Sequence, residues 1–214
     1  MSLINFINFE KEIMALKKQN NAIILSHYFQ DSEVQDIADF VGNSEEIIQK
    51  AISVREKNVI IAAPRSVLEI AYCLNPSNTY LIPDINSGCS LENSVKISKI
   101  LDLKNKYPNS LIVSHINSGM EILEISDYIV TTSNAEDIVS KIDDQKTIIF
   151  APDKNLGKFL KKRTNKDIIT MSGVCSVHNN FSERELIKLK SVHRKAKVIA
   201  SPLCSENILN YADF

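Results

Sequence analysis

Short apolar runs rich in β-branched residues alternate along the chain with longer stretches whose apolar positions recur every three or four residues. The short runs lie at 23–25, 59–61, 80–82, 111–113, 128–131, 147–150, 168–170 and 198–200. The helical periods cover 2–20, where Ile4, Phe6, Ile7, Ile13 and Leu16 share a side, then 34–41, 45–54, 67–73, 95–103 and 183–192. A strand that is apolar on both faces must be covered on both, and alternation with helices supplies the cover. The pattern predicts an α/β protein of three-layer αβα units, each with a parallel sheet of about four strands. Right-handed crossovers put all strand carboxyl ends of a unit on one side, where ligands of such sheets bind.

The pattern also recurs. IILSHYFQDSEVQDIADFVGNS at 23–44 is matched 88 residues later by a stretch in which His115 stands for His27, Asp127-Tyr128 for Asp39-Phe40, and Thr132 for Ser44. APRSVL at Ala63 returns as APDKNL at Ala151, also 88 on, and the glycine-flanked Cys89 and Cys175 are 86 apart. One spacing shared by this many features marks a duplicated unit. A third copy opens at Val198, with Ser201 in the histidine position and Ala212-Asp213-Phe214 echoing Ala38-Asp39-Phe40. The expected organisation is a first unit with its N-terminal helix at 1–107, a second at 108–195, and the start of a truncated third at 196–214, with Tyr107-Pro108-Asn109 as the first boundary.

Composition narrows the function classes. A net charge of −1 gives no electrostatic reason to expect nucleic acid or an anionic membrane as partner. No apolar run reaches the roughly 18 residues of a membrane span, and the charged start at 8–12 is unlike a signal peptide, so the expected location is cytoplasmic. In that setting four cysteines point to thiols or metal ligands rather than structural disulfides.

His27, Ala63, Cys89, His115, Thr132, Ala151 and Cys175 all follow strands, which makes the repeated positions a site rather than a core. A lone cysteine after a strand is usually a core thiol, but matched thiols in repeated units that face a common axis form a soft-metal or iron–sulfur site. Cys73, among Val67, Ile70 and Ala71 on a helix, is expected to pack, and Cys204, out of step with the repeat, to be structural. Asp153-Lys154-Asn155-Leu156-Gly157 has the form of a turn and helix cap. Arg55, Lys57, Lys161, Lys162 and Arg163 form solvated charge clusters. Imidazoles and hydroxyls at one mouth suit a carboxylate or phosphate.

The motifs SHYFQD…DIADFVGNS, LNPSNTYLIPDINSGCSL, TTSNAEDIV, IIFAPDKNLGKFL and SGVCSVHNNF resemble the quinolinate synthase family, collinearly from about Asn21 to the end. The resemblance implies three similar α/β domains about a pseudo-threefold axis and condensation of iminoaspartate with dihydroxyacetone phosphate to quinolinate, the pyridine precursor of NAD. It implies a [4Fe–4S] cluster held by one cysteine per domain, here Cys89 and Cys175. Catalytic roles fall to His27 and His115, and substrate contacts to His27, Ser44, Asn117 and Thr132.

The chain departs from the family pattern at telling places. Phe29 replaces the tyrosine of a His-x-Tyr-Gln motif, His115 that of Tyr-Val-Asn-Thr, and Ser201-Pro202-Leu203-Cys204 stands for His-Pro-Glu-Cys. Ala63-Pro64-Arg65-Ser66 stands for a Gly-Val-His-Phe loop. The third cluster cysteine is expected another 86 residues past Cys175, beyond Phe214, so a second chain would supply the third domain. The alternative expectation is an inactive remnant, or a module that binds a small anion or a partner.

Overall fold

The computed structural model describes residues 3–55 and 58–214, with side chains from Phe9 onward. The predicted apolar positions Ile4, Phe6 and Ile7, and Lys57, lie outside the described side chains. Two compact units divide the chain, Met1–Cys89 and Ser90–Phe214.

The first unit runs α1 (Leu3–Gln19), β1 (Ala22–His27), α2 (Ser32–Asp36), β2 (Phe40–Gly42), α3 (Ser44–Ser53), β3 (Asn58–Ala62), α4 (Arg65–Leu74) and β4 (Thr79–Leu81). Its four strands are parallel in the order β2-β1-β3-β4. The buried run Ile23, Ile24, Leu25 of β1 sits in the middle of the sheet. Asn43 caps α3 reciprocally with Glu46, each side chain taking the other's backbone N–H, and Ile47, Ile48 and Ala51 are the helix's buried stripe.

The second unit repeats that order. It runs α5 (Ile97–Lys106), β5 (Leu111–His115), α6 (Met120–Glu124), β6 (Tyr128–Val130), α7 (Ala135–Ser140), β7 (Ile148–Ala151), α8 (Lys154–Thr164), β8 (Ile168–Thr170), α9 (Ser176–Asn179), α10 (Glu183–Val192) and α11 (Glu206–Leu209), with strand order β6-β5-β7-β8. Successive strand residues enter different cores. Val113, Ile148 and Phe150 pack with Val139, Leu156 and Leu160 of α7 and α8, whereas Ile112, Ile149 and Ala151 pack with Ile100 of α5 and Ile122 of α6. Alternation of this kind places helices on both faces of the sheet, the three-layer arrangement the sequence predicts. At Gly157 a Cβ would meet Thr170 Cγ2 at 2.6 Å, so glycine is what lets α8 lie close on β8.

One clasp ties each strand pair at its start. Asp39 Oδ2 accepts the Ile24 N–H and its own N–H returns to the Ile24 carbonyl, both at 2.8 Å. Asp127 and Ile112 do the same at 2.8 and 2.9 Å, and Asp213 and Val198 at 2.9 and 2.8 Å. The third copy thus keeps the clasp even though 198–200 is not a regular strand.

Three expectations are corrected. The helical period at 34–41 overran: α2 stops at Asp36, and Phe40–Gly42 is a strand paired with β1, because the Asp39 clasp turns the backbone into the sheet. Leu16 is exposed, whereas Lys17 beside it is buried, its ammonium meeting Asp39 at 2.7 Å. Cys73 is exposed rather than packed, since α4 buries Ser66, Val67 and Ala71.

Candidate functional site

In each copy the segment that ends at His27, His115 or Ser201 is followed by the same tight turn. The carbonyls of His27, His115 and Ser201 each accept the N–H three residues on, from Gln30, Ser118 and Cys204, all at 2.9 Å. The turn also aims the N–H of the second residue at the side chain. Phe29 N donates to His27 Nδ1 at 3.2 Å, Asn117 N to His115 Nδ1 at 3.1 Å, and Leu203 N to Ser201 Oγ at 3.3 Å. One backbone geometry therefore serves three side chains.

In the second unit His115 and Thr132 come together. His115 is 3% exposed, and its Nε2 lies 3.1 Å from Thr132 Oγ1, in the connection leaving β6. Burial, and then the neighbouring His178, hold its pKa down at about 4. Asn117 reaches His115 through its backbone N–H, leaving its half-buried side chain available at the same strand end.

In the first unit His27 is buried, with a pKa lowered by burial, and its ring lies against Tyr28 and Phe29, centroids 4.7 and 5.0 Å away. Ser44, the counterpart of Thr132, is buried at the start of α3. Among the described residues no hydrogen bond joins His27 to Ser44, so the pair formed in the second unit is not copied contact for contact.

The cysteines follow their repeat positions. Ser87, two residues before Cys89, bonds back to the loop after β3: its hydroxyl donates to the Ala63 carbonyl and its carbonyl accepts from Arg65 N. In the second unit Gly173 accepts from Lys154 N, and Asp153 joins the loops directly. Asp153 is fully buried; Oδ1 caps α8 through Asn155 N and Leu156 N, and Oδ2 accepts Cys175 N at 2.7 Å. Burial raises its pKa against the pull of those three N–H groups. The turn-and-cap reading of this segment holds, with the added tie to Cys175.

Cys175 is buried, with Sγ 3.1 Å from His178 Nδ1, while Cys89 is half-buried. Burial pushes the Cys204 thiol up, and Cys175 and Asp153 add to the rise. None of the cysteines is in a disulfide. Among the described residues no three His, Cys, Asp or Glu side chains are grouped to hold a metal ion. A cavity of about 350 Å³ in the second unit is lined by Phe181, Leu186, Leu189 and Ile208 together with His178, Ser201 and Cys204; His115, Asn117, Thr132 and Cys175 do not line it.

The model of the family described as quinolinate synthetase A protein matches residues 11–214. The chain belongs to the quinolinate synthase family. It is 42% identical over all 214 residues to the quinolinate synthase of Ehrlichia chaffeensis, covering 68% of that protein. It is 42% identical to that of Microcystis aeruginosa and 41% to that of Nostoc sp. strain PCC 7120, each over 94% of this chain and 63% and 62% of the relative. The chain thus spans a little under or over two thirds of the relatives it matches. Sequence reasoning missed the contacts made by Asp39, Asp127, Lys17 and His178. A signal for the first two was present, since an aspartate follows the first strand at one fixed interval in all three copies.

Proposed function

We propose that this chain supplies the substrate cradle of a quinolinate synthase, the enzyme of NAD biosynthesis that condenses iminoaspartate with dihydroxyacetone phosphate. The observation that carries the reading is the matched pair of strand-end turns, each presenting an imidazole, with the Thr132 hydroxyl beside that of His115, in a family member. His27, Ser44, Asn117 and Thr132 would hold the carboxylates and the phosphate, with His27 and His115 as the imidazoles nearest the reacting groups. Such anions are bound well by several N–H and O–H donors fixed in advance, since fixed donors need no reorganisation when charge develops.

A [4Fe–4S] cluster does not fit the described residues of this chain by themselves. Cys89 and Cys175 are two of the thiolates it would need, the Cys175 thiol lies against His178, and among the described residues no three such ligands are grouped. No step is assigned to the cluster. In this reading the remaining ligand comes from the part of a third unit that 196–214 only opens, and the first two units follow the sequence period, 1–107 and 108–195. The proposed setting is cytoplasmic, where thiols stay reduced; among the described residues no helix is long and apolar enough to cross a membrane.

A second reading, a non-catalytic module that binds a small anion, is favoured by the absence of a three-ligand group among the described residues and by Phe29, which cannot transfer a proton. Quinolinate formation separates the two. Anion binding is common to both and is tested by calorimetric titration of dihydroxyacetone phosphate into the full chain. Binding is expected, with a loss of about tenfold or more in the Ser44→Ala/Thr132→Ala double variant, since hydrogen bonds to charged groups contribute about 1.5–3 kcal/mol. No binding by the wild type, or equal binding by the folded double variant, overturns the cradle.

A further inference from the structure

The turn after each first strand decides more than where its histidine sits. A backbone N–H has one proton to give, so a ring nitrogen that receives it must present a lone pair. Phe29 N–H points at His27 Nδ1 and Asn117 N–H at His115 Nδ1, at 3.2 and 3.1 Å. In both rings the proton of the neutral imidazole is therefore on Nε2. Adding a second proton at Nδ1 would set two N–H groups against each other inside a turn closed by the 2.9 Å bonds from Gln30 and Ser118. The Ser201–Leu203 bond in the third copy shows that the turn supplies this donor whatever residue stands in the position.

For His115 the consequence runs one atom further. Its Nε2–H donates to Thr132 Oγ1, so the Thr132 hydroxyl must give its own proton to something else. Among the described residues no other partner is present for that hydroxyl, nor any acceptor for His27 Nε2–H.

We propose that His27 and His115 are locked as neutral Nε2–H tautomers and that each, at the strand end of its own unit, acts on an oxyanion bound there as a hydrogen-bond donor, His27 directly and His115 through the Thr132 hydroxyl, not as a general base or a cation. This deepens the cradle reading, on which it rests for the ligand alone. The line from Asn117 N–H through His115 to Thr132 is a one-way series of donors. It selects an oxygen that only accepts, as in an ionised carboxylate or phosphate, over a hydroxyl or amide that must also donate. His115 is thus a positioning residue that fixes the direction of the Thr132 O–H. The burial that holds both rings below the usual imidazole range agrees, and His178 is the titratable neighbour that contributes for His115.

The test is a long-range ¹H–¹⁵N correlation spectrum of the full chain labelled at its four histidines, recorded from pH 6 to 8, with His27 and His115 assigned by the loss of their signals in H27Q and H115Q. Both rings are expected to show the neutral Nε2–H pattern throughout; an Nδ1–H pattern, or an imidazolium at pH 6, in either ring overturns the proposal. Inorganic phosphate is then titrated into the wild type and T132V. Once the ionisation of phosphate itself is allowed for, affinity is expected to stay level across this range and to fall about tenfold in T132V, as the loss of one charge-assisted bond implies. Affinity that climbs towards pH 6 would show a cationic histidine at work and overturn the donor role. If phosphate fails to bind while the tautomers are as expected, the cradle reading falls and the tautomer assignment stands.

Discussion

Asp153→Ala is expected to destabilise the chain by about 3 kcal/mol, from three buried N–H groups losing their acceptor at about 1 kcal/mol each. Those groups are Asn155 and Leu156 at the start of α8 and Cys175 across the loop, bonded at 2.5, 3.1 and 2.7 Å to a carboxylate with no exposed surface. Urea denaturation followed by circular dichroism measures the change. Asp153→Asn keeps Oδ1 for the helix cap and removes a charge whose burial is unfavourable, so it is expected to cost less, about 1 kcal/mol. Equal stability of all three proteins would mean that the carboxylate is not the joint between α8 and the cysteine loop.

Acidification from pH 7 to pH 5 is expected to cost the wild type about 2 kcal/mol more than it costs His115→Gln. The sign follows from the direction of the shift. His115 titrates near 4 in the fold, against 6.5 for an unconstrained imidazole. As pH falls through 6.5 the unfolded chain takes up the proton first, so the stabilising effect of a buried neutral ring is present above that value. It is lost progressively on the way down to about 4. A linkage of one group over that window gives about 2 kcal/mol by pH 5. His27 and His178, also lowered by burial, act in the same direction and are common to both proteins. Denaturation midpoints at the two pH values decide it, and parallel losses in wild type and variant would place the His115 ring in water.

The sheets were legible because their strands are apolar on both faces, and runs such as Ile23-Ile24-Leu25 and Ile148-Ile149-Phe150 have no other place to go. Phe40–Gly42 was lost to a helical period because three residues are too short to show alternation. Its repeat partner Tyr128–Val130, equally short as a strand, lies within the longer apolar run 128–131, which marks the position. Lys17 was invisible for a different reason. Its burial depends on an aspartate 22 residues away in sequence, and no local periodicity registers a partner of that kind. At the site, residue types and spacing identified His115 and Thr132 but not their contact. The 17-residue interval is the same for His27 and Ser44, where no such bond forms. The tautomers needed backbone N–H directions, which only the folded turn supplies.

Two copies of one strand-end turn, serving one class of anionic ligand, are the centre of this account. A crystal structure of the chain with dihydroxyacetone phosphate bound tests it most directly. The predicted result has oxygens of the ligand accepting from the Thr132 hydroxyl in the second unit, or from the Ser44 hydroxyl and His27 Nε2 in the first. A ligand seated in the apolar cavity beside α10, with the Thr132 proton turned to a protein acceptor, would contradict it.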